Sequence, residues 1–420
     1  MPSFRRIAAL LVAGSFVVTG TAVAATSARD AQRATTITFW HAYSSDSPEV
    51  KTLSTVLIPM FEKSHPSIHV EQVAVPYDSL HQKLLTATAG GTLPDVVRSD
   101  IIWVPELANL GVLAPLDKQM KDFKSLAAAT FPGALATNAW KGHYYGLPLD
   151  TNTRVLMYSS DALAEAGLTA PPKTWGQLQT LANKLQGKGA VAFADGGTSG
   201  WSILPWIWSG GGSLTNKQLT KSTGYLNSPK SVAAVQFFVN LHRRGEAKFG
   251  NVDGGIQTSD GLAQGKFATI LDGPWMFPIF AGQYPNFKLK TGLVPAGPGG
   301  KSISVVGGED VVMTQSSKNK AAAADFIRFL LSKPAQTEMA KVGQMSIRKD
   351  LKTELTKIRP YYATFIDQLA TARPRTPHPA WPKIDAIIDS SVAKAIKGDS
   401  TVKDALTDAA RQIDALLAGS

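Results

Sequence analysis

The sequence predicts an α/β protein built from two domains, and three observations support this interpretation. The chain has 420 residues, which is enough for two domains with separate hydrophobic cores. Strand and helix patterns alternate over residues 35–110, where period-two apolar alternation is followed by capped runs of helical period. The same alternation restarts near residue 145, which indicates a second domain of the same class.

The first domain begins with a strand in which Ile37 and Phe39 alternate with threonines. Ser47 followed by Pro48 is typical of a helix start, because serine caps the free N–H groups and proline suits the first turn. This helix is predicted to end near Ser64. The pattern then predicts a strand over 68–75, a helix over 78–91, a strand over 93–97 and a helix over 103–110. Such alternation predicts a parallel sheet with helices on both faces.

The second domain repeats these signals. A strand is predicted over residues 155–158, and Thr174 with Gln177 forms the capping box of a helix that ends at Gly187. Ser228 begins another helix in the same way, and Gly245 ends it. Later helices are predicted over 318–331, 334–342 and 402–417. Residues 200–214 are dense in Trp and Gly, and no element is predicted there.

Residues 1–25 have the pattern of a secretory signal peptide. Arg5 and Arg6 precede an apolar run over residues 7–18, and Ala22-Val23-Ala24 follows as a small-residue cleavage site. The apolar run is too short to span a bilayer. The sequence therefore predicts secretion across the cytoplasmic membrane, with a periplasmic or cell-envelope location. No lipobox cysteine is present, because the chain has no cysteine at all.

Several function classes find no support in the residue pattern. The formal net charge is +11, but no dense basic run is interleaved with aromatic residues, so no nucleic-acid partner is expected. The seven histidines are scattered, and we expect no metal site. Residues 297–302 resemble a phosphate loop, but Pro295 stands where that loop needs glycine. We expect no cofactor and no catalytic residue; a glycosidase with two distant carboxylates stays open.

The tryptophans indicate a binding site. The chain has nine, and six of them lie at strand ends, at helix starts or in Gly/Pro loops: Trp40, Trp103, Trp206, Trp208, Trp275 and Trp381. Ligands of α/β sheets bind at the carboxyl ends of strands, where flat aromatic faces can stack on sugar rings. Trp103 is better explained as the buried start of a helix. Trp275 is the strongest candidate because it follows a strand-ending Gly273-Pro274.

Six segments together resemble one known family. They are ITFWHAYS (37–44), the G-x-L-x-P-L-D segment (93–117), the stretch ending in P-P-K-T-W (145–178), the G-P-W element (265–277), a helix pair (317–351) and the last helix (401–414). In this order and spacing the chain resembles the extracellular solute-binding proteins of ATP-driven importers, which include maltose-, trehalose- and oligosaccharide-binding proteins.

The resemblance implies a two-lobed periplasmic-binding-protein fold of type II, in which three interlobe crossings connect two α/β lobes. We place the crossings near residues 147–152, 303–308 and 344–348. Lobe 1 is then predicted to hold residues 35–149 and 308–344, and lobe 2 to hold residues 150–303 and 348–420. The cleft between the lobes is the expected ligand site.

The resemblance also implies the ligand-binding residues. Trp275 is carried over directly from the G-P-W element, and the other candidates follow the strands or crossings that border the cleft. They are Trp40, His41, Ser44, Ser45, Asp100, Asp150, Asn152, Arg154, Trp206, Trp208, Gly308, Glu309, Arg348 and Trp381. For Asp150, Asn152 and Arg154 a structural role in the hinge is the alternative.

The implied function is that of a non-enzymatic carrier. It is the substrate-binding component of an ABC transporter, which captures a disaccharide or short oligosaccharide and delivers it to a membrane permease; we expect a monomer. An anionic ligand such as a glycerophosphodiester is the alternative, since the charge is basic and Arg154 and Arg348 are placed near the cleft. A secreted polysaccharide-active enzyme is a weaker alternative. A role as a ligand-presenting partner of a chemoreceptor is compatible with the main hypothesis.

Overall fold

Two five-stranded sheets organise the structure, a computed structural model that describes residues 35–419. The predicted signal peptide, residues 1–25, lies outside the described residues. The strands of the described chain are β1 (Thr35–His41), β2 (Ile68–Ala74), β3 (Val96–Asp100), β4 (Ala139–Trp140), β5 (His143–Tyr144), β6 (Gly146–Pro148), β7 (Asn152–Thr153), β8 (Val155–Tyr158), β9 (Val191–Asp195), β10 (Ala247–Phe249), β11 (Phe267–Asp272), β12 (Lys290–Gly292), β13 (Val306–Gly307) and β14 (Glu309–Met313).

Helices cover both faces of each sheet. The α-helices of residues 35–419 are α1 (Pro48–Thr52), α2 (Ile58–Ser64), α3 (Tyr77–Gly90), α4 (Val104–Asn109), α5 (Leu116–Gln119), α6 (Phe123–Ala129), α7 (Pro132–Ala136), α8 (Ser160–Glu165), α9 (Trp175–Leu185), α10 (Gly200–Ser209), α11 (Pro229–Arg243), α12 (Gly250–Asp253), α13 (Thr258–Ala263), α14 (Met276–Gln283), α15 (Lys320–Leu330), α16 (Lys333–Lys341), α17 (Lys352–Ile358), α18 (Tyr362–Leu369), α19 (Trp381–Lys397) and α20 (Val402–Ala418). None of them combines the length and the apolar character that a bilayer crossing requires.

The predicted caps are confirmed. The hydroxyls of Ser47, Thr174 and Ser228 each accept a hydrogen bond from the backbone N–H three residues later. The predicted helix over residues 47–64 is present but changes its winding, because α1 and α2 are joined by a π-helical turn, Leu53–Leu57. Pro59 has no N–H to donate to the carbonyl four residues earlier, which disturbs the regular ladder at this point.

Sheet 1 has the strand order β2-β1-β3-β14-β6. Strands β2, β1 and β3 are parallel, as predicted, but β14 is antiparallel to both β3 and β6. The predicted parallel arrangement therefore holds for β1, β2 and β3, and β14 makes the sheet mixed. β14 is antiparallel because the chain enters it on the return path from the second sheet. Along the described chain, no single crossover helix connects β14 to a neighbouring strand, as a parallel pair would require. One face of sheet 1 packs on α1, α2, α15 and α16, and the other on α3 and α4.

Sheet 2 has the strand order β10-β9-β11-β8-β12, and it is also mixed. Strands β10, β9 and β11 are parallel, whereas β8 is antiparallel to β11 and to β12. Helices α9, α10, α11, α19 and α20 form the larger core on one face. Helices α14, α17 and α18 contribute to a smaller core with β8 and β11. The C-terminal helices therefore belong to sheet 2.

The segment over residues 200–214, for which no element was predicted, begins with helix α10. Every residue of α10 except Trp201 is buried, and Pro205 lies inside the helix. A helix that is apolar on all sides has no amphipathic pattern, so its sequence does not show which side faces the core.

The three predicted crossing segments lie side by side. Strand β7 in the first pairs with β13 in the second in antiparallel register. Asp150 in the first forms an antiparallel bridge with Ser346 in the third, and Thr151 N–H donates to the Met345 carbonyl at 3.0 Å. The exact lobe boundaries given above stay a prediction.

Candidate functional site

Tyr77 and Asp100 present one aromatic ring and one carboxylate at the carboxyl edge of sheet 1. Tyr77 is the first residue of α3 and follows β2, and 44% of its surface is exposed. Its hydroxyl donates to Asp100 Oδ2 at 2.6 Å, and Asp100 ends β3. The other carboxylate oxygen, Oδ1, accepts from the Ile102 N–H at 2.9 Å. The tyrosine ring is thus held by this hydrogen bond and by the Trp103 ring, 5.4 Å away between centres, while 44% of the residue stays exposed.

Arg375 joins this edge to the helices of sheet 2. It lies between α18 and α19, and its Nη2 is 3.5 Å from Asp100 Oδ1. Both side chains are buried, with 7% and 8% exposure. The guanidinium carbon also lies 5.1 Å from the centre of the Trp201 ring, within cation–π range. Arg375 therefore connects the carboxylate of sheet 1 to an indole of sheet 2.

Trp201 and Trp275 form a stacked pair at the carboxyl edge of sheet 2. Their ring centres are 6.2 Å apart, the planes differ by 29°, and both residues are half-buried. Trp201 lies in the first turn of α10, after β9, and Trp275 follows β11. The two indoles therefore provide flat apolar surface next to Arg375.

Two glycines allow the indoles to lie this close to the backbone. A Cβ on Gly273 would be 2.1 Å from the Trp275 ring, so the indole folds back over the glycine that precedes it. A Cβ on Gly307, in β13, would be 2.7 Å from the Trp201 ring. The sequence prediction that Gly273-Pro274 presents Trp275 at the end of a strand agrees with this arrangement, but its contact with ligand stays a prediction.

Arg154 forms buried hydrogen bonds to the segments that carry both tryptophans. Its guanidinium donates to Asp195 Oδ1 at 3.0 Å and lies 2.9 Å from Asp195 Oδ2. The same group donates to the backbone carbonyls of Trp201, at 3.2 Å, and of Leu271. Arg154 is 3% exposed, and these partners engage both of its terminal nitrogens. In this structure Arg154 is a buried support for the segments that carry the indoles, and its predicted contact with ligand stays a prediction.

Two carboxylates near the indoles, Asp272 and Asp100, are in surroundings that disfavour their charged form. Burial raises the pKa of Asp272 to about 6, against the opposing charge of Arg154 and the hydrogen bond from the Gly273 N–H. Burial likewise raises the pKa of Asp100, and Arg375 opposes that rise. Charged carboxylates persist in such surroundings when they have cationic or hydrogen-bonding partners. Asp100 and Arg375 are thus each suited to bind a polar ligand in place of the other.

The predicted residues of the first two crossings lie against one another. Asp150, Asn152, Gly308 and Glu309 lie next to one another where the first two crossings meet. Gly308 has φ 131°, and a Cβ there would be 2.4 Å from the Asp150 carbonyl oxygen, so only glycine fits without strain. The alternative of a structural role for Asp150 and Asn152 is therefore favoured over direct ligand contact.

The predicted residues around the end of β1 are mostly enclosed. Trp40 is 8% exposed, lies within β1 rather than after it, and is covered by the Lys83 ammonium, 4.3 Å from the ring centre. His41 is fully buried; its Nε2 is hydrogen-bonded to Gln72 Oε1 at 2.8 Å. Both side chains therefore have packing roles in this structure, and their predicted contact with ligand stays a prediction. Ser44 and Ser45 are exposed in the loop that follows, and their predicted contact with ligand stays a prediction.

The burial of His41 predicts a loss of stability in acid. Burial lowers its pKa to about 4, from an ordinary value of 6.5. The unfolded chain therefore binds this proton at a higher pH than the folded protein does. The stabilisation is complete above pH 6.5 and is lost as the pH falls towards 4. This amounts to about 3 kcal/mol in the free energy of unfolding.

Urea unfolding between pH 7.5 and pH 4 measures this effect. We expect His41→Gln to reduce the pH dependence in this interval, because the variant has no imidazole to protonate. The control is His69→Gln, at a side chain with 58% exposure, which should retain the wild-type dependence. An equal slope in wild type and His41→Gln would contradict the assignment to His41.

Four further predicted residues, three tryptophans and one arginine, are also enclosed or paired in this structure, and their contact with ligand stays a prediction. Trp206 is 1% exposed and packs on Phe238 with ring centres 4.5 Å apart. Trp208 is 7% exposed and Trp381 is fully buried, both in the large core of sheet 2. Arg348 is occupied by Asp350 and by the Leu331 carbonyl. The tryptophans follow strands or loops in sequence, but the helices that carry them turn the rings inward.

Sequence reasoning missed Tyr77, Trp201 and Arg375. Tyr77 and Trp201 each begin a helix after a strand of a parallel pair, which is the signal used for the other candidates. Applying that signal to tyrosine as well as tryptophan would have found Tyr77. Arg375 lies outside any strand–helix unit, and no signal in the sequence indicates its contact with Asp100. Trp103, by contrast, is 5% exposed at the start of α4, as predicted.

Two α/β lobes joined by three adjacent crossings, with aromatic rings at the facing sheet edges, define the class of two-lobed periplasmic binding proteins. A sequence profile of bacterial extracellular solute-binding proteins matches residues 44–337, and the chain belongs to this family. Within residues 35–419, no group of three or more His, Asp or Glu side chains is arranged to hold a metal ion.

Several named relatives are similar over most of their length. A probable ABC transporter-binding protein of Deinococcus radiodurans is 30% identical, with 73% of this chain and 76% of the relative covered. A maltooligosaccharide ABC transporter solute-binding lipoprotein of Streptococcus pneumoniae (strain ATCC BAA-255 / R6) is 27% identical, with 87% and 88% covered. An sn-glycerol-3-phosphate-binding periplasmic protein of Pectobacterium atrosepticum is 25% identical, with 92% of each chain covered.

Solved structures share the fold. An ABC transporter solute-binding protein of Thermotoga lettingae, bound with α-D-tagatose, has a TM-score of 0.80 and 26% identity, with 91% of this chain and 100% of that chain covered. Maltose-bound MalE3 of T. maritima also has a TM-score of 0.80, with 25% identity and the same coverage.

Proposed function

We propose that the protein is the substrate-binding component of an ABC transporter and captures a carbohydrate between its two lobes. The observation that carries this proposal is a continuous row of contacts from sheet 1 to sheet 2, namely Tyr77, Asp100, Arg375, Trp201 and Trp275. The three aromatic rings provide flat apolar faces, and the charged pair between them provides hydrogen-bond donors and acceptors. Sugars present the same combination of apolar C–H faces and hydroxyl groups.

The relatives support a neutral sugar as the ligand class. One is named for maltooligosaccharides, and two solved structures of the same fold hold tagatose or maltose. The ligand would be a monosaccharide to short oligosaccharide, and a membrane permease would receive it. The protein would act as a monomeric carrier without enzymatic activity, exported by the predicted signal peptide.

Closure around the ligand follows from the two-sided site. A ligand that contacts Tyr77 on one lobe and Trp201 on the other binds the closed form better than an open one, so it shifts the population towards closure. Micromolar affinity requires about 8 kcal/mol of net binding free energy. Two or three stacked rings with buried hydroxyl hydrogen bonds can supply this after the costs of ordering.

A thermal-shift screen tests the proposal directly. The panel is maltose, maltotriose, trehalose, tagatose and glycerol 3-phosphate. We expect at least one neutral sugar to raise the melting temperature and to quench tryptophan fluorescence, with an affinity that changes little between low and high salt. Absence of any shift with neutral sugars, together with salt-sensitive binding of glycerol 3-phosphate, would contradict the carbohydrate proposal.

An anionic sugar-alcohol ester is the second candidate, and Arg375 is the observation that favours it. Arg375 is buried, its one ion pair among the described residues is 3.5 Å long, and its Nε has no hydrogen-bond partner there. A phosphate could replace Asp100 as its partner. Arg348, which the sequence placed near the cleft for the same purpose, is instead paired with Asp350.

An enzymatic role would be revealed by new reducing ends after incubation with glycans.

A further inference from the structure

Arg98 of β3 contacts all three crossing segments. Its Nη2 is 3.1 Å from Asp150 Oδ2 at the first crossing and 2.7 Å from Glu309 Oε2 at the second. The same nitrogen is 3.3 Å from Gln344 Oε1 at the third crossing. One guanidinium thus joins three segments that are far apart in sequence.

The surroundings of Arg98 make these contacts energetically important. The side chain is 5% exposed, and its guanidinium carbon lies 4.1 Å from the centre of the buried Tyr43 ring. Gln344 in turn donates to Glu49 Oε1 at 3.2 Å, so the third crossing is tied to α1 as well. An arginine stays charged, and a buried charge that loses its partners is strongly destabilised. Moving Asp150 or Glu309 away from Arg98 therefore separates a buried ion pair.

This cluster lies directly behind the candidate ligand site. Glu309 is the register partner of Asp100 in the pairing of β14 with β3. The backbone N–H groups of Leu149 and Asp150 both donate to the Glu309 carbonyl, at 2.8 Å and 3.2 Å. The first two crossings are therefore joined next to the residue that contacts Arg375.

We propose that Arg98 is a positioning residue of the hinge. By holding the three crossing segments to β3, it sets the angle between the lobes and stabilises the arrangement in which Asp100 meets Arg375. Nη2 makes all three contacts, and the rigid planar guanidinium fixes where this nitrogen lies, whereas the ammonium of a lysine sits on a flexible stem. The inference rests on the proposed capture of ligand between two lobes, but its test needs no ligand.

The absence of native cysteine makes a direct distance measurement possible. Ser79→Cys in α3 and Lys383→Cys in α19 replace exposed residues on the two lobes and accept spin labels. Electron paramagnetic resonance then gives the distribution of distances between the labels in the ligand-free protein. We expect Arg98→Met to reduce the population at the main wild-type distance by about half or more, in favour of longer distances.

Two variants separate a hinge role from general stabilisation. Arg328→Met removes an arginine that pairs with Asp122 and Asp325 within the same lobe, and it should leave the distribution unchanged. Arg98→Lys keeps the charge without the fork, and it should give an intermediate distribution. A wild-type distribution in folded Arg98→Met overturns the inference. If Arg98→Met does not fold, a wild-type distribution in Arg98→Lys overturns it instead.

Sugar titration of the unmodified protein distinguishes this inference from the proposed function. A distance shift in Arg98→Met without sugar binding by the wild type would retain the hinge role and refute the proposed ligand. Sugar binding by the wild type without a distance shift in Arg98→Met would refute the hinge role alone.

Discussion

Trp275→Ala is expected to weaken binding of the sugar identified in the thermal-shift screen by about tenfold or more, which corresponds to about 1.4 kcal/mol. The indole is half-buried and stacks with Trp201, whose ring in turn lies 5.1 Å from the guanidinium carbon of Arg375. Its removal takes away one flat face of the site and leaves Trp201 without its partner. Isothermal titration calorimetry on the purified variant measures the change.

The control for Trp275→Ala is Trp206→Phe. Trp206 belongs to the same helix as Trp201 but is packed in the core against Phe238, so the substitution retains an aromatic ring where no ligand is expected. Its affinity should stay close to that of the wild type. An unchanged affinity in Trp275→Ala, with folding intact, would count against the stacked pair as the binding surface.

Arg154→Met is expected to destabilise the folded protein by about 3–5 kcal/mol. The variant leaves the Asp195 carboxylate buried without its cation, since Asp195 is 2% exposed. The backbone carbonyls of Trp201 and Leu271 lose their donor at the same time. The free energy of unfolding in urea measures the loss, and sugar affinity should fall with it because both indole-bearing loops lose their support.

A second substitution identifies the unpaired charge as the cause. Arg154→Met combined with Asp195→Leu should recover part of the lost stability, because no buried charge then lacks a partner. The exposed pair of Arg411 with Asp408 provides the matched control, and Arg411→Met should change stability by less than about 0.5 kcal/mol. A stability change in Arg154→Met as small as that of Arg411→Met would contradict the supporting role.

Much of the local structure could be predicted because its causes are local. Ser47, Thr174 and Ser228 begin helices through hydrogen bonds that span only three residues. An apolar run followed by Gly273-Pro274 placed Trp275 at the carboxyl end of a strand. The resemblance of six ordered segments then identified the family, which the profile match confirms.

The sequence by itself determined the capped helix starts at Ser47, Thr174 and Ser228, the approximate positions of β1, β2, β3 and β8, the two-domain α/β class and the segment that carries Trp275. Only the tertiary structure decided the direction of β14, because pairing across a sheet depends on the path of distant segments. It also decided that α10 turns Trp201 outward and Trp206 and Trp208 inward, since an apolar helix has no polar face to fix its rotation. The contacts of Asp100 with Arg375, and of Arg98 with the three crossings, likewise exist only once residues 52 to 275 positions apart are folded together.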